Sequence, residues 1–226
     1  MCNRYANTIA FSEYVEACGR IGLTIVSPQA APNLEPMENI APTSVAPILR
    51  PAEGGIELCR LRWGLIPWFH KKGVKEWKML TTNARYEGVT TARTFKQAFE
   101  QRRCLVPLSH YYEWTGEKGH KTKWSFARSD NDWFCFAGLW DRAHTSEGTI
   151  ESYALLTTAA GPDVVPYHHR QPVILERNEY RAWLDTGALA ASAIQPAQTG
   201  LLKIEQAKSL DEMRRLVMLR DPRGHS

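Results

Sequence analysis

The sequence predicts an α+β fold, a mainly antiparallel sheet or partly closed β-barrel with helices at its periphery. Apolar runs of strand length crowd the middle of the chain, helical spacing is confined to a few short stretches, and Glu53-Gly54-Gly55 makes a hairpin turn between two of the runs. The 226 residues are 43% hydrophobic and 23% charged, enough for one substantial core, and the expected organisation is a single domain over residues 1–226.

Near the start, Phe11, Tyr14, Val15 and Cys18 fall on one helical face that Gly19 or Gly22 can end. Residues 27–47 carry Pro28, Pro32, Pro36, Pro42 and Pro47, so an extended surface connection is expected there. Residues 45–49 and 57–63 read as the strands of a hairpin, the second setting Cys59, Leu61 and Trp63 against Arg60 and Arg62. Thr94, with Gln97 three residues on, opens a short helix with Phe95, Ala98 and Phe99 on one face. Strands are expected at 104–108, 110–114, 123–128, 133–139, 153–158 and 172–175, with a turn at 115–122 containing Gly116 and Gly119. Helical spacing returns over 176–184 with Tyr180, Trp183 and Leu184, and Ser209-Leu210-Asp211-Glu212 is a capping box opening a last helix through Leu216.

A net charge of +4 is mild, so an anionic partner must be met by a local basic patch. Cys2, Cys18, Cys59, Cys104 and Cys135 are odd in number, widely spaced and free of any C-x-x-C pair, which argues against a zinc site and a disulfide framework and fits a reducing cytosol. No stretch approaches 18 apolar residues, and no apolar run follows Arg4. The expectation is a cytoplasmic monomer, associated with the nucleoid if bacterial, without membrane partner, metal or cofactor.

The chain begins Met1-Cys2-Asn3-Arg4-Tyr5. An initiator methionine before a residue as small as cysteine is normally removed, which leaves Cys2 with a free α-amine beside its thiol. With a pKa of roughly 7.7–8.0, that amine is partly unprotonated and nucleophilic near neutral pH. The pair is a 1,2-aminothiol: one group adds to an aldehyde to give an imine, and the other closes on the imine to give a thiazolidine ring. Taken alone, an incidental buried cysteine is the commoner explanation.

Residues 63–79 interleave Trp63, Trp68, Phe69 and Trp77 with Lys71, Lys72, Lys75 and Lys78. Stacking platforms flanked by cations suit single-stranded nucleic acid, since every base has a π-face and every nucleotide a phosphate. By itself the run is more commonly a core tryptophan or two beside a solvated lysine loop.

Four places stand out: Cys2-Asn3-Arg4-Tyr5, Asn83-Ala84-Arg85, Tyr112-Glu113-Trp114 and His168-His169-Arg170-Gln171-Pro172. Glu113, on an apolar strand, is a candidate carboxyl of raised pKa, or else an ion-pair partner for a sheet arginine. Asn83 offers a donor and an acceptor without titrating. In order and content the four resemble the SOS-response-associated peptidase (SRAP) family, whose members carry C-G-R near the start, N-A-R before a Thr/Ser-rich helix, a [FY]-E-W strand and a late H-x-R-x-P. The resemblance covers about residues 2–184 and includes Ala41-Pro42 and the W-G-L-I-P-x-W run from Trp63. Asn3 stands where the family usually has Gly, and the segment from about 200 to 226 departs from the family's Asn-rich ending.

The resemblance implies a SRAP-like fold and a protein that recognises abasic sites in single-stranded DNA and joins itself to them through Cys2, a lyase-like crosslinking activity in the DNA-damage response, with peptidase-type release of Met1. It implies Cys2, Asn83, Glu113 and His168 as the catalytic set. His168 sits four residues before Pro172 and is chosen over His169 on the family pattern; its ordinary pKa of roughly 6.5 suits proton transfer at a carbinolamine. Arg4, Arg85 and Arg170 each lie within two residues of a catalytic candidate and are expected to grip phosphates, with Trp68 stacking on or wedging beside a base. No base-edge readers are evident, so binding is expected to follow DNA structure rather than sequence. Two other readings use the same residues: an amino-terminal-nucleophile cysteine peptidase or amidohydrolase, and a non-covalent single-stranded DNA binding module.

Overall fold

A two-residue alternation of buried side chains runs through the long strands and sends successive residues into two apolar clusters. A computed structural model describes residues 2–26, 34–186 and 194–207. In chain order the elements are β1 (Tyr5–Asn7), α1 (Phe11–Arg20), β2 (Met37–Ile40), β3 (Val45–Ala52), β4 (Gly55–Trp63), β5 (Asn83–Arg85), α2 (Lys96–Gln101), β6 (Arg103–Leu108), β7 (His110–Thr115) and β8 (Thr122–Arg128). There follow β9 (Phe134–Thr145), β10 (Gly148–Ala159), β11 (Arg170–Pro172), β12 (Ile174–Leu175), α3 (Tyr180–Leu184) and β13 (Leu202–Gln206).

β10, β4, β3, β6 and β9 pair in that order and β9 returns to β10, closing a five-stranded barrel in which only the β4–β10 pair is parallel. Closure removes the exposed edges that an open sheet would leave. A second, antiparallel sheet runs β13-β8-β7-β1-β2. Along the barrel strands, Cys104, Val106, Phe134, Phe136, Tyr153 and Leu155 share a cluster with Cys2, Tyr5, Tyr111 and Phe126 from the second sheet and the residues leading into it. The alternate residues, Leu105, Cys135, Ala137, Leu139, Ala154 and Leu156, pack with Tyr14, Ala98, Phe99, Tyr180 and Trp183 of the three helices. One set of alternating residues therefore packs with the helices, and the other shares its cluster with residues of the sheet that carries the amino terminus.

β10 changes partners along its length. Its first two thirds pair with β9 and, at Ser152 and Tyr153, with β4. Beyond the barrel, Leu155–Thr157 pair with β5 and Thr157–Ala159 with β11. Thr157 is thus bracketed by Arg85 and Pro172, so a single strand brings together the Asn83 and Arg170 segments.

The architecture agrees with the expected class. The differences lie in short or polar strands. Residues 37–40 lie within the proline-rich connection, yet they form β2 against β1 and bury Ile40; residues 27–33 lie outside those described. β9 and β10 each run 12 residues, well beyond the apolar segments 133–139 and 153–158, because their outer ends form a polar hairpin with Arg142 paired to Glu151. β1, β5 and β13 are three to five residues long, too short to declare a period. Helix α2 starts at Lys96 without a side-chain cap, and the 176–184 stretch divides into a 3-10 turn, Arg177–Glu179, and α3. The capping box at Ser209 lies outside the described residues.

The amino-terminal strand is held by a buried asparagine. Asn7 Nδ2 donates to the Pro107 carbonyl at 2.9 Å and to the Tyr14 hydroxyl at 2.7 Å, tying β1 to β6 and to α1. Asn7→Ala strands both acceptors and should lower unfolding free energy by about 2–3 kcal/mol, read from urea denaturation; a loss under about 0.5 kcal/mol would mean that these bonds hold nothing.

Candidate active site at the amino terminus

Residue 2 is placed by the backbone that follows it. The Tyr112 N–H donates to the Arg4 carbonyl at 3.0 Å and the Ser109 N–H to the Ala6 carbonyl at 2.9 Å, which fastens β1 along β7. Tyr5 lies opposite Tyr111, its ring meets Trp63 edge-on at 5.3 Å, and its hydroxyl lies 2.5 Å from that of Tyr153. Cys2 is 0% exposed at the end of this segment, its thiol donating to the Arg4 carbonyl at 3.4 Å.

Asn83 approaches from β5. Its Nδ2 donates to the Cys2 carbonyl and to Thr82 Oγ1, both at 3.2 Å, while its buried Oδ1 makes no hydrogen bond among the described residues and remains an available acceptor. The preceding backbone is pinned by the Trp63 indole N–H and the Leu155 N–H, both donating to the Thr82 carbonyl at 2.9 Å. The W-G-L-I-P-x-W run therefore helps position Asn83 through Trp63. Gly64, at φ +117°, takes the turn that follows, a backbone region glycine alone adopts at ease.

Glu113 points into the same buried region as Tyr111, two residues earlier on β7, and is 4% exposed. Burial raises its carboxyl to about 7, partly offset by the positive charge of the Met1 α-amine. His168 feels burial first and the same amino-terminal charge second, and both push its pKa down, so the ring is neutral at pH 7. Its Nδ1 lies 2.9 Å from the Arg170 N–H and 3.0 Å from the Arg170 carbonyl, so either tautomer is held in one ring orientation. Burial drives the Cys2 thiol well above its ordinary range, with the Glu113 charge adding to the effect. The structure thus gathers Cys2, Asn83, Glu113 and His168 around the amino terminus: a neutral thiol, an acid titrating near neutrality and a neutral imidazole.

The cations divide. Arg4 lies one residue before β1, its Nη1 donating to the Asn3 carbonyl at 3.1 Å, and Arg85 is exposed two residues from Asn83. Arg170 is engaged: Glu87 takes both guanidinium ends at 2.5 and 2.9 Å, and the Thr157 carbonyl accepts a further bond at 2.8 Å. Trp68 is 47% exposed on a loop whose backbone is anchored by its N–H to the buried Asp141 carboxylate at 2.9 Å. Thr157, Glu87 and Tyr111 lie outside the four sequence motifs. Thr157 carried a signal, as a hydroxyl inside the apolar run from Tyr153; the other two carried none.

Fold and site together describe a β-barrel protein with a candidate nucleophile at its own amino terminus. The family model described as SOS response associated peptidase (SRAP) matches residues 1–213, and the chain belongs to that family. Among relatives, the abasic site processing protein YoqW of Bacillus subtilis is 28% identical, over 82% of this chain and 80% of its own. The abasic site processing protein YedK of Escherichia coli is 25% identical over 70% and 72%, and the abasic site processing protein YMR114C of Saccharomyces cerevisiae is 30% identical, with this chain spanning only 39% of its length. A crystal structure of a protein from Bacteroides thetaiotaomicron superposes with a TM-score of 0.77 at 22% identity, covering 92% of this chain and 93% of that one.

Glu113 makes a prediction about stability. Its folded pKa of about 7 exceeds the ordinary 4.5, so the folded state keeps a proton that the unfolded chain releases. Stability from this group is therefore intact below about pH 4.5, declines as pH rises to about 7, and at pH 8 is down by roughly 3 kcal/mol. Glu113→Gln should match the parent near pH 4.5 and exceed it at pH 8 in denaturant midpoint. An equal difference at both pH values would contradict the buried-acid assignment.

Proposed function

We propose that this chain processes abasic sites in single-stranded DNA by forming a covalent thiazolidine link through Cys2 once Met1 has been removed. The observation that carries the reading is the gathering of an amide, an acid and an imidazole around the amino terminus, with Asn83 bonded to the Cys2 carbonyl. The abasic deoxyribose, in its open form, presents an aldehyde. The Cys2 α-amine attacks that carbon, and Glu113, protonated in part at neutral pH, donates to the departing hydroxyl so that water leaves and an imine remains. The thiol then adds to the imine carbon, its proton passing to neutral His168, while the nitrogen takes up a proton. Asn83 Oδ1 accepts from the amine and holds its lone pair towards the aldehyde.

A thiol kept protonated by burial supports an order in which the amine reacts first. It runs against the peptidase reading, which needs a thiolate to attack an amide. Arg4, two residues from Cys2, and Arg85, two residues from Asn83, supply phosphate contacts, and the exposed ring of Trp68 stacks beside a base. Arg170 meets a phosphate only by exchanging Glu87, and meanwhile its backbone orients His168.

On a denaturing gel, the parent should join an abasic oligonucleotide and leave an intact one unjoined. Cys2→Ala should abolish the joined band while retaining salt-sensitive binding, because phosphate contacts supply affinity independently of the reacting centre. A stable band that persists in Cys2→Ala would assign the nucleophile elsewhere.

Arg4→Ala and Arg85→Ala should each weaken binding and lower the slope of log affinity against log salt by about one counterion. Unchanged affinity and slope in both would make them structural arginines.

A further inference from the structure

Tyr111 is a further buried polar residue in the cluster that holds Cys2. Its ring is locked between Phe126, stacked at 4.7 Å, and Phe136, edge-on at 5.4 Å, and the residue is 0% exposed. Its hydroxyl makes no hydrogen bond among the described residues. A buried hydroxyl left in this state forfeits its hydration without return, and phenylalanine would fill the same space without that loss. Three relations locate it: it pairs across the strands with Tyr5, it shares a face of β7 with Glu113, and it packs in the cluster that holds Cys2. Burial raises the Tyr111 phenol first, and the charges of Cys2, Glu113 and Asp163 add to that in order. Asp163 is already occupied, accepting the Gly200 and Leu202 N–H groups at 2.9 and 3.1 Å.

We propose that Tyr111 is a positioning residue for Cys2, its phenol O–H donating a hydrogen bond to the sulfur as the thiol closes on the imine carbon. This rests on the aminothiol reading above. In the step concerned, the S–H proton passes to His168, sulfur bonds to the imine carbon, and the C=N π pair returns to nitrogen, which takes up the proton His168 has accepted. Tyr111 keeps its own proton throughout. A donor aimed at sulfur offsets the burial that otherwise disfavours the developing thiolate, and a hydrogen bond to a charged acceptor is the stronger kind. In the resting protein the hydroxyl makes no hydrogen bond among the described residues, which leaves its proton available to an electron-rich sulfur. It acts on the second bond formed and not on the first.

The test separates the two bonds. An abasic oligonucleotide is mixed with the full-length protein beginning at Cys2. Imine formation is read by borohydride capture at early times, and ring closure by the link that survives denaturation without reductant. Tyr111→Phe should keep or raise Tm, leave imine capture within about twofold, and slow closure by about tenfold or more, the rate equivalent of one hydrogen bond. 3-Fluorotyrosine at the same position, which keeps the oxygen, should restore closure towards the parental rate. Unchanged closure in Tyr111→Phe, or equal slowing of both readouts, would overturn the proposal. If Tyr111→Phe does not fold, a fluorotyrosine series at position 111 decides: closure should quicken as the phenol becomes a stronger donor, and a flat response would overturn the assignment. If the parent itself forms no stable link, the aminothiol reading falls and this inference with it, an outcome distinct from a linking parent matched by Tyr111→Phe.

Discussion

Burial of residue 2 is the constraint on which the rest of the site depends. A chain terminus is ordinarily solvated and loosely held. Here a three-residue strand is inserted between β2 and β7, tied through Asn7 to α1 and β6, and Cys2 is sealed into the cluster beneath. The barrel supplies the other side. β10 leaves its barrel partners near Leu155 and takes up β5 and β11, setting Asn83 and the backbone that holds His168 on flanking strands. Two sheets thus meet at the amino terminus, one contributing Cys2 and Glu113 and the other Asn83 and the His168 segment.

The same desolvation explains the titration of all three groups. Burial disfavours charge whatever its sign, so it raises the Cys2 thiol and the Glu113 carboxyl and lowers the His168 imidazole. Such a site keeps the thiol and the imidazole largely neutral and leaves the carboxyl titrating near neutrality. A neutral acid that can give a proton and a neutral imidazole that can take one suit a dehydration followed by an addition, as the condensation of an aldehyde with an aminothiol requires. A thiolate-based site calls for the opposite arrangement, an electropositive setting that lowers the thiol pKa.

Much of this was legible in the sequence where chemistry is carried by residue type. The positions of Cys2, Asn83, Glu113 and His168 followed from short motifs, and the hairpin β3–β4 from its glycines and alternation. What escaped was set by partners distant in the chain. β1 and β5 have three residues each and are strands only because β7 and β10 lie alongside them. The outer halves of β9 and β10 read as polar because Arg142 and Glu151 find each other across the hairpin. Arg170 shares the spacing of the other two arginines in the sequence, and only the fold brings Glu87, 83 positions away, onto its guanidinium. Tyr111 lies outside every motif, and its hydroxyl, without a hydrogen bond among the described residues, is visible only in three dimensions.

The central claim is that an α-amine, and not merely a thiol, performs the reaction. The most direct measurement compares the protein beginning at Cys2 with one carrying an extra residue ahead of it, using intact mass after incubation with an abasic oligonucleotide. The extended form keeps the thiol and every side chain around it, but its Cys2 nitrogen is an amide that cannot form an imine. The protein beginning at Cys2 should gain the mass of the abasic strand less one water and hold it through denaturation, while the extended form stays unjoined. Linkage of the extended form at an equal rate and with equal durability would contradict the aminothiol mechanism and return the reaction to the thiol alone.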